Sequence, residues 1–230
     1  MSKQEGRDVV VWDVATRLFH WSLVGLVATN LFFIGPRGGT STIVHFIVGY
    51  AVVGLVFFRL IWGFLGSPRS RFADFLHPWP VVKAYVDRLR RLNPPHSIGH
   101  NPLGGWMIAA LLATLATMVV TGPFAAGRRA SGPLAHLLSQ GGAHLAGSIH
   151  VLVSDLLIGL IVVHVAGVGI DWLLTGDNLV KAMLTGRKRL APAAASAEKP
   201  VAPVWRALLT GLLALAVSLS LSMATNFSGR

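Results

Sequence analysis

The chain has 230 residues, of which 53% are hydrophobic and only 13% charged, and its formal charge is +11. A soluble domain carries about a quarter charged residues, so this composition and a mean hydropathy of +0.62 point to a membrane protein and away from a nucleic-acid binder. The basic residues sit between long apolar runs, as topology signals and headgroup contacts do, and the absence of cysteine excludes disulfides, thiolate zinc sites, iron–sulfur clusters and thioether attachment of a cofactor.

Five apolar runs approach the roughly 20 residues that cross a bilayer as helix: Leu18–Ile34, Ile43–Leu65, Leu103–Thr121, Gly147–Ile170 and Val204–Ala224. They are continuous and not alternating, which argues against strands. The first run follows basic residues like a signal peptide. However, it carries His20 and Asn30 and ends in Pro36-Arg37-Gly38-Gly39 with no small-residue cleavage site, so it is expected to stay attached. Between the second and third runs, Pro80–Leu92 places Val82, Tyr85, Val86 and Leu89 near one helical face, with Lys83, Asp87, Arg90 and Arg91 elsewhere. This is the pattern of a short amphipathic helix at the membrane surface, or of a solvated charged turn. The Ala/Pro stretch Ala191–Pro203 is a linker by composition.

The expected class is therefore an all-α membrane protein. It would comprise a four-helix transmembrane domain over residues 1–190, a linker over 191–203 and an additional C-terminal transmembrane helix within 204–230. With five spans, one side collects Lys3, Arg7, Arg17, six basic residues between spans two and three, and six between spans four and five, fifteen in all. The other side has Arg37, Arg128, Arg129 and Arg230. That bias places the N-terminus in the cytoplasm.

Histidines within membrane helices are costly and usually functional. His20, His45, His150 and His164 lie inside or at the ends of spans one, two and four. His150 and His164 are 14 residues apart, nearly four full turns, so both leave the same face about 21 Å apart along the axis. By depth, His20 pairs with His164 on the inner side and His45 with His150 on the outer side. Each pair can occupy both axial positions of a non-covalently held haem iron, which favours electron transfer over oxygen chemistry. Arg59, 14 residues after His45, and Arg17, three before His20, are candidates for pairing with haem propionates; snorkelling to headgroups is the alternative. Gly49, Gly147 and Gly167 would let a flat macrocycle approach the helices, or serve ordinary close packing. His100 at the mouth of the third span is a candidate quinone contact. His77 and His96 read as solvated, and the role of Asp155, about 140° around the helix from His150, is open.

Several motifs are familiar. Val11-Trp12-Asp13 followed by Arg17-Leu18-Phe19-His20-Trp21, His45-x-x-x-Gly49-Tyr50 and Phe58-Arg59-Leu60-Ile61-Trp62-Gly63-Phe64 resemble the prokaryotic cytochrome b561 family, which is similar to the cytochrome b subunit of nickel–iron hydrogenases. So do Gly99-His100-Asn101-Pro102-Leu103-Gly104-Gly105, Asn178-Leu179-Val180-Lys181-Ala182-Met183 and Thr185-Gly186-Arg187-Lys188. The resemblance runs from Val9 to Arg189. It implies a haem-binding four-helix bundle in the bacterial inner membrane with two haem b groups ligated at His20, His45, His150 and His164. It further implies electron exchange with a quinone, a c-type cytochrome or a dehydrogenase subunit. The helix after Ala191 departs from shorter relatives.

Two other functions compete. An anchor subunit of a dehydrogenase- or hydrogenase-type complex would co-purify with a stoichiometric partner. A histidine-based metal or proton transporter would be colourless and need carboxylates beside its histidines. Contact with membrane lipid, and assembly as a homo-oligomer, are further expectations for such a chain.

Overall fold

In the computed structural model, residues 7–33, 42–127, 131–190 and 199–227 are described. Ile34, Pro36–Gly39, most of the linker, and Lys3, Arg37, Arg128, Arg129 and Arg230 of the charge bias lie outside the described residues. The order of elements is β1 (Arg7–Val10), α1 (Val14–Phe33), α2 (Thr42–Leu65), α3 (Phe72–Phe75), α4 (Trp79–Arg90), α5 (Pro102–Thr121), α6 (Gln140–Thr175), α7 (Leu179–Thr185), β2 (Arg187–Leu190) and α8 (Val204–Phe227). The helices α1, α2, α4, α5, α6 and α8 coincide with the five apolar runs and the amphipathic segment, to within a few residues except at α6, while the short α3 and α7 have no counterpart there.

Among the described residues, four helices are long and apolar enough to cross a membrane: Ile43–Leu65, Pro102–Phe124, Gln140–Thr175 and Val204–Met223. α1 has 20 residues, about 30 Å of rise, but Arg17, His20 and Asn30 dilute its apolar content. α6 runs for 36 residues, about 54 Å, so its ends reach beyond a hydrocarbon core of about 30 Å. On α4, Val82 and Tyr85 are buried and Val86 and Leu89 half-buried, while Lys83, Arg88 and Arg91 are exposed. The apolar face packs, which favours the surface helix over the solvated turn.

The chain forms two compact units. Unit one comprises Met1–Leu18, Ile61–Ala110 and Leu160–Ala207. It contains the departure from an all-helical expectation, an antiparallel ribbon that pairs Arg7 with Leu190 and Val10 with Arg187. Four residues per strand, rich in charge, carry too little alternation to register as sheet in the sequence. The ribbon is closed at one end by Gly186, whose carbonyl accepts the backbone N–H groups of Val11 and Trp12 at 2.8 and 3.1 Å. Gly186 also ends α7 with φ of 79°. A β-carbon there would stand 2.8 Å from the Trp12 carbonyl oxygen, so both conformation and space call for glycine. Asn178 caps the other end of α7, accepting the Lys181 N–H at 2.7 Å.

Asp13 organises the same unit. Its Oδ1 caps α1 by accepting the Thr16 N–H at 2.7 Å, and its Oδ2 accepts from Ser70 Oγ at 2.7 Å and Trp62 Nε1 at 3.4 Å. Asp13 and Trp62 are 6% and 1% exposed. A carboxylate this buried persists because donors surround it. Asp171 near the end of α6 is a second node, its Oδ1 accepting from Asn101 Nδ2 at 2.9 Å and Tyr85 Oη at 3.2 Å. This ties α4 and the start of α5 to α6. Burial first, and then the Asp171 charge, push the Tyr85 phenol well above its ordinary range.

Unit two comprises Phe19–Leu60, Leu111–Gly159 and Leu208–Arg230. Within it α8 packs on α2. Ser218 Oγ donates to the Tyr50 carbonyl at 2.8 Å, and a β-carbon on Gly54 would lie 3.3 Å from the Ala214 carbonyl oxygen. Many large apolar side chains of α6 and α8 are exposed, among them Leu152, Leu156, Leu208, Leu212 and Leu213, as lipid-facing helices require.

Candidate haem sites

His45 leaves the first turn of α2 and His150 lies on α6, both in unit two and both half-buried. Their ring centroids are 6.2 Å apart and the ring planes are nearly perpendicular, at 89°. An imidazole nitrogen sits about 2 Å from a first-row metal, and the centroid lies about 1 Å behind that nitrogen. Two imidazoles holding one iron between them would therefore have centroids about 6 Å apart, and the spacing of His45 and His150 matches that distance.

The outer nitrogens of both rings are also provided for. His45 Nδ1 lies 3.1 Å from Asn30 Oδ1 on α1. His150 Nδ1 lies 3.3 Å from Thr121 Oγ1 at the end of α5. The Thr121 hydroxyl gives its own hydrogen to the Thr117 carbonyl at 2.7 Å, which leaves its lone pair to accept from His150. Amide oxygen and hydroxyl thus favour the Nδ1–H tautomer of each ring, in which Nε2 is the nitrogen that would be open to a metal. Gly122, first residue of a 3-10 turn after α5, lies against His150. A β-carbon there would approach Cε1 to 3.1 Å. Asn30, Thr121 and Gly122 are the supporting residues that sequence reasoning missed. A polar Asn in an otherwise apolar run was the available signal for the first; nothing local marks the other two.

His20 is half-buried on α1, its ring edge-on to Trp21 with centroids 5.0 Å apart. His164 is half-buried on α6 in unit one. Arg59 is 3% exposed. Burial to that degree disfavours snorkelling, since a snorkelled guanidinium is wet. Arg17 is half-buried in unit one and donates from Nη2 to the Leu184 carbonyl. Of the three glycines, Gly49 and Gly167 have open space where a side chain would be, whereas Gly147 packs against the Ala126 backbone, where a β-carbon would stand 2.3 Å from the carbonyl oxygen. The ordinary packing explanation therefore holds for Gly147.

The remaining candidates separate clearly. The His100 ring packs between Trp12 and Phe75, with centroids 4.4 and 5.1 Å away. His96 is not merely solvated, because its Nδ1 pairs with Asp177 Oδ2 at 3.2 Å, and Lys188 Nζ approaches the same oxygen at 2.7 Å. Burial acts to raise the Asp177 carboxyl, but the hydrogen bonds and charges of Lys188 and His96 hold it below the usual range. Asp155 is exposed on α6. Among the described residues no three His, Asp or Glu side chains converge to hold a metal ion.

A family model for prokaryotic cytochrome b561 matches residues 11–186. Comparison with curated proteins and with solved structures yields no match. The matched stretch spans α1 to α7, and with its apolar helices and membrane histidines it makes this chain a multi-pass bacterial membrane protein that belongs to the prokaryotic cytochrome b561 family.

Proposed function

We propose that the chain carries electrons across the bacterial inner membrane through two haem b groups, each held by two histidines. Family membership carries transmembrane electron transfer through haem b; the count of two, the ligand pairs and the orientation are the proposal. The observation that carries it is the His45–His150 pair, with centroids 6.2 Å apart and both Nδ1 atoms beside acceptors. When bound, haem b supplies a one-electron iron couple. The chain's part would be to hold the iron with two imidazoles, leaving no site open to oxygen, to fix their tautomers through Asn30 and Thr121, and to offer a buried cation, Arg59, to a propionate. We assign that role to Arg59, which is 3% exposed, rather than to the half-buried Arg17.

The inner pair, His20 with His164, rests on the sequence alone: His164 shares a face of α6 with His150, and His20 matches it in depth. Taking α1 as a fifth span, the Lys/Arg bias puts the N-terminus and the inner haem at the cytoplasm. Electrons would pass between a quinone or periplasmic cytochrome and a redox partner. An anchoring role within a larger complex is compatible with this relay and is read out by a stoichiometric partner. His150→Ala should abolish the outer haem signal and spare most of the inner one, and His164→Ala should do the reverse. If each variant keeps both signals in redox-resolved optical spectra, the pairing is wrong.

A further inference from the structure

In unit one, the turn before α1 and the α7–β2 junction wall a cleft of about 290 Å³, lined by residues that include Asp13, Val14, Arg17, Gly186, Arg187 and Val201. Two guanidinium groups stand on it. That of Arg17 is pre-positioned by its hydrogen bond to Leu184, while Arg187 is exposed. The one carboxylate of the lining, Asp13, is already engaged by Thr16, Ser70 and Trp62, so it competes little for the cations. No histidine is among the described residues that line the cleft.

Its surroundings are apolar and exposed. Val14 and Leu18, one turn apart on α1, are 63% and 64% exposed, and Val201, Val204 and Trp205 at the start of α8 are 48%, 73% and 56% exposed. Arg206 lies over the Trp205 ring at 5.4 Å, an aromatic–cation pair of the kind that marks the headgroup level. A paired cation site opening onto bare apolar helix faces matches an amphiphile with an anionic head and hydrocarbon tails. A water-soluble anion would use only the cations.

We propose that this cleft binds one anionic phospholipid, its phosphodiester between Arg17 and Arg187 and its acyl chains over Val14 and Leu18. The inference rests on the membrane reading of the chain and not on the haem ligand assignment. The test uses the full holoprotein in nanodiscs of phosphatidylcholine with and without phosphatidylglycerol, transferred to detergent, with retained lipid counted by native mass spectrometry. The wild type should keep one phosphatidylglycerol in preference to phosphatidylcholine. Arg187→Gln should lower retention about fivefold, and Arg187→Gln with Arg17→Gln about twenty-fivefold, since each basic residue near the surface contributes about one such factor. Arg90→Gln with Arg91→Gln, at the end of α4, should retain lipid like the wild type. An unaltered haem spectrum of Arg187→Gln separates lost lipid from lost fold. Equal retention in the double variant, or displacement of the lipid by millimolar inorganic phosphate, would overturn the proposal; the latter would leave a simple anion site.

Discussion

Asn30→Leu removes the acceptor facing His45 Nδ1 at 3.1 Å while keeping side-chain volume similar. The hydrogen bond holds the ring in the tautomer that presents Nε2, and it makes the imidazole more basic. A neutral hydrogen bond of this kind contributes about 1 kcal/mol net, and loss of a residue supporting a metal ligand typically costs 10–100-fold in affinity. The expected effect is therefore about a tenfold weaker hold on the outer haem, about 1.4 kcal/mol. A less basic ligand favours ferrous over ferric iron, so the outer midpoint potential should rise. Redox titration of the purified protein, with haem content measured before and after dilution in detergent, reads both quantities. The inner haem, ligated elsewhere, should titrate as in the wild type. If Asn30→Leu left outer haem retention and potential unchanged while His45→Ala abolished that haem, the supporting role of Asn30 would be refuted.

Two further predictions concern residues that shape the site and its surroundings. Gly122→Leu places a branched side chain where even a β-carbon stands 3.1 Å from the His150 ring. It should displace that ring and lower outer haem content severalfold, with Gly122→Ala milder, as absorbance per protein will show. Asp177 has its carboxyl held below the ordinary 3.8, so its contribution to stability is full above that value and is lost as pH falls through the lowered one. Asp177→Asn should flatten the fall in thermal stability on acidification below about pH 4, measured by differential scanning fluorimetry; an unchanged slope would show that the Lys188–Asp177 contact contributes nothing measurable.

The membrane helices were legible because a span must hide its backbone polar groups in continuous helix, which leaves long apolar runs. α2, α5 and α8 are found within a few residues of their expected limits. The extra length of α6 was hidden in Gln140-Gly141-Gly142, which reads as loop, and in Asp171-Trp172-Leu173-Leu174-Thr175, where a charge interrupts the hydropathy. The β1–β2 ribbon joins segments nearly the whole family domain apart in sequence, and no local pattern announces such a pairing. At the site, 3.6-residue periodicity and depth were enough to bring His45 and His150 together, since helix direction fixes which ends are neighbours. The acceptors behind them were not legible, because Asn30 and Thr121 reach the rings from other helices and only tertiary packing sets those distances. Arg17 and Arg59 looked alike as membrane-end cations. Burial distinguishes them, Arg59 being enclosed and Arg17 tied to the α7–β2 junction.

Haem content per polypeptide bears most directly on the electron-transfer reading. Purified protein assembled with ample haem should give a pyridine haemochrome value near two haem b per chain, both reducible by dithionite. A value near one would remove the inner pair, and a protein free of haem would contradict the relay altogether.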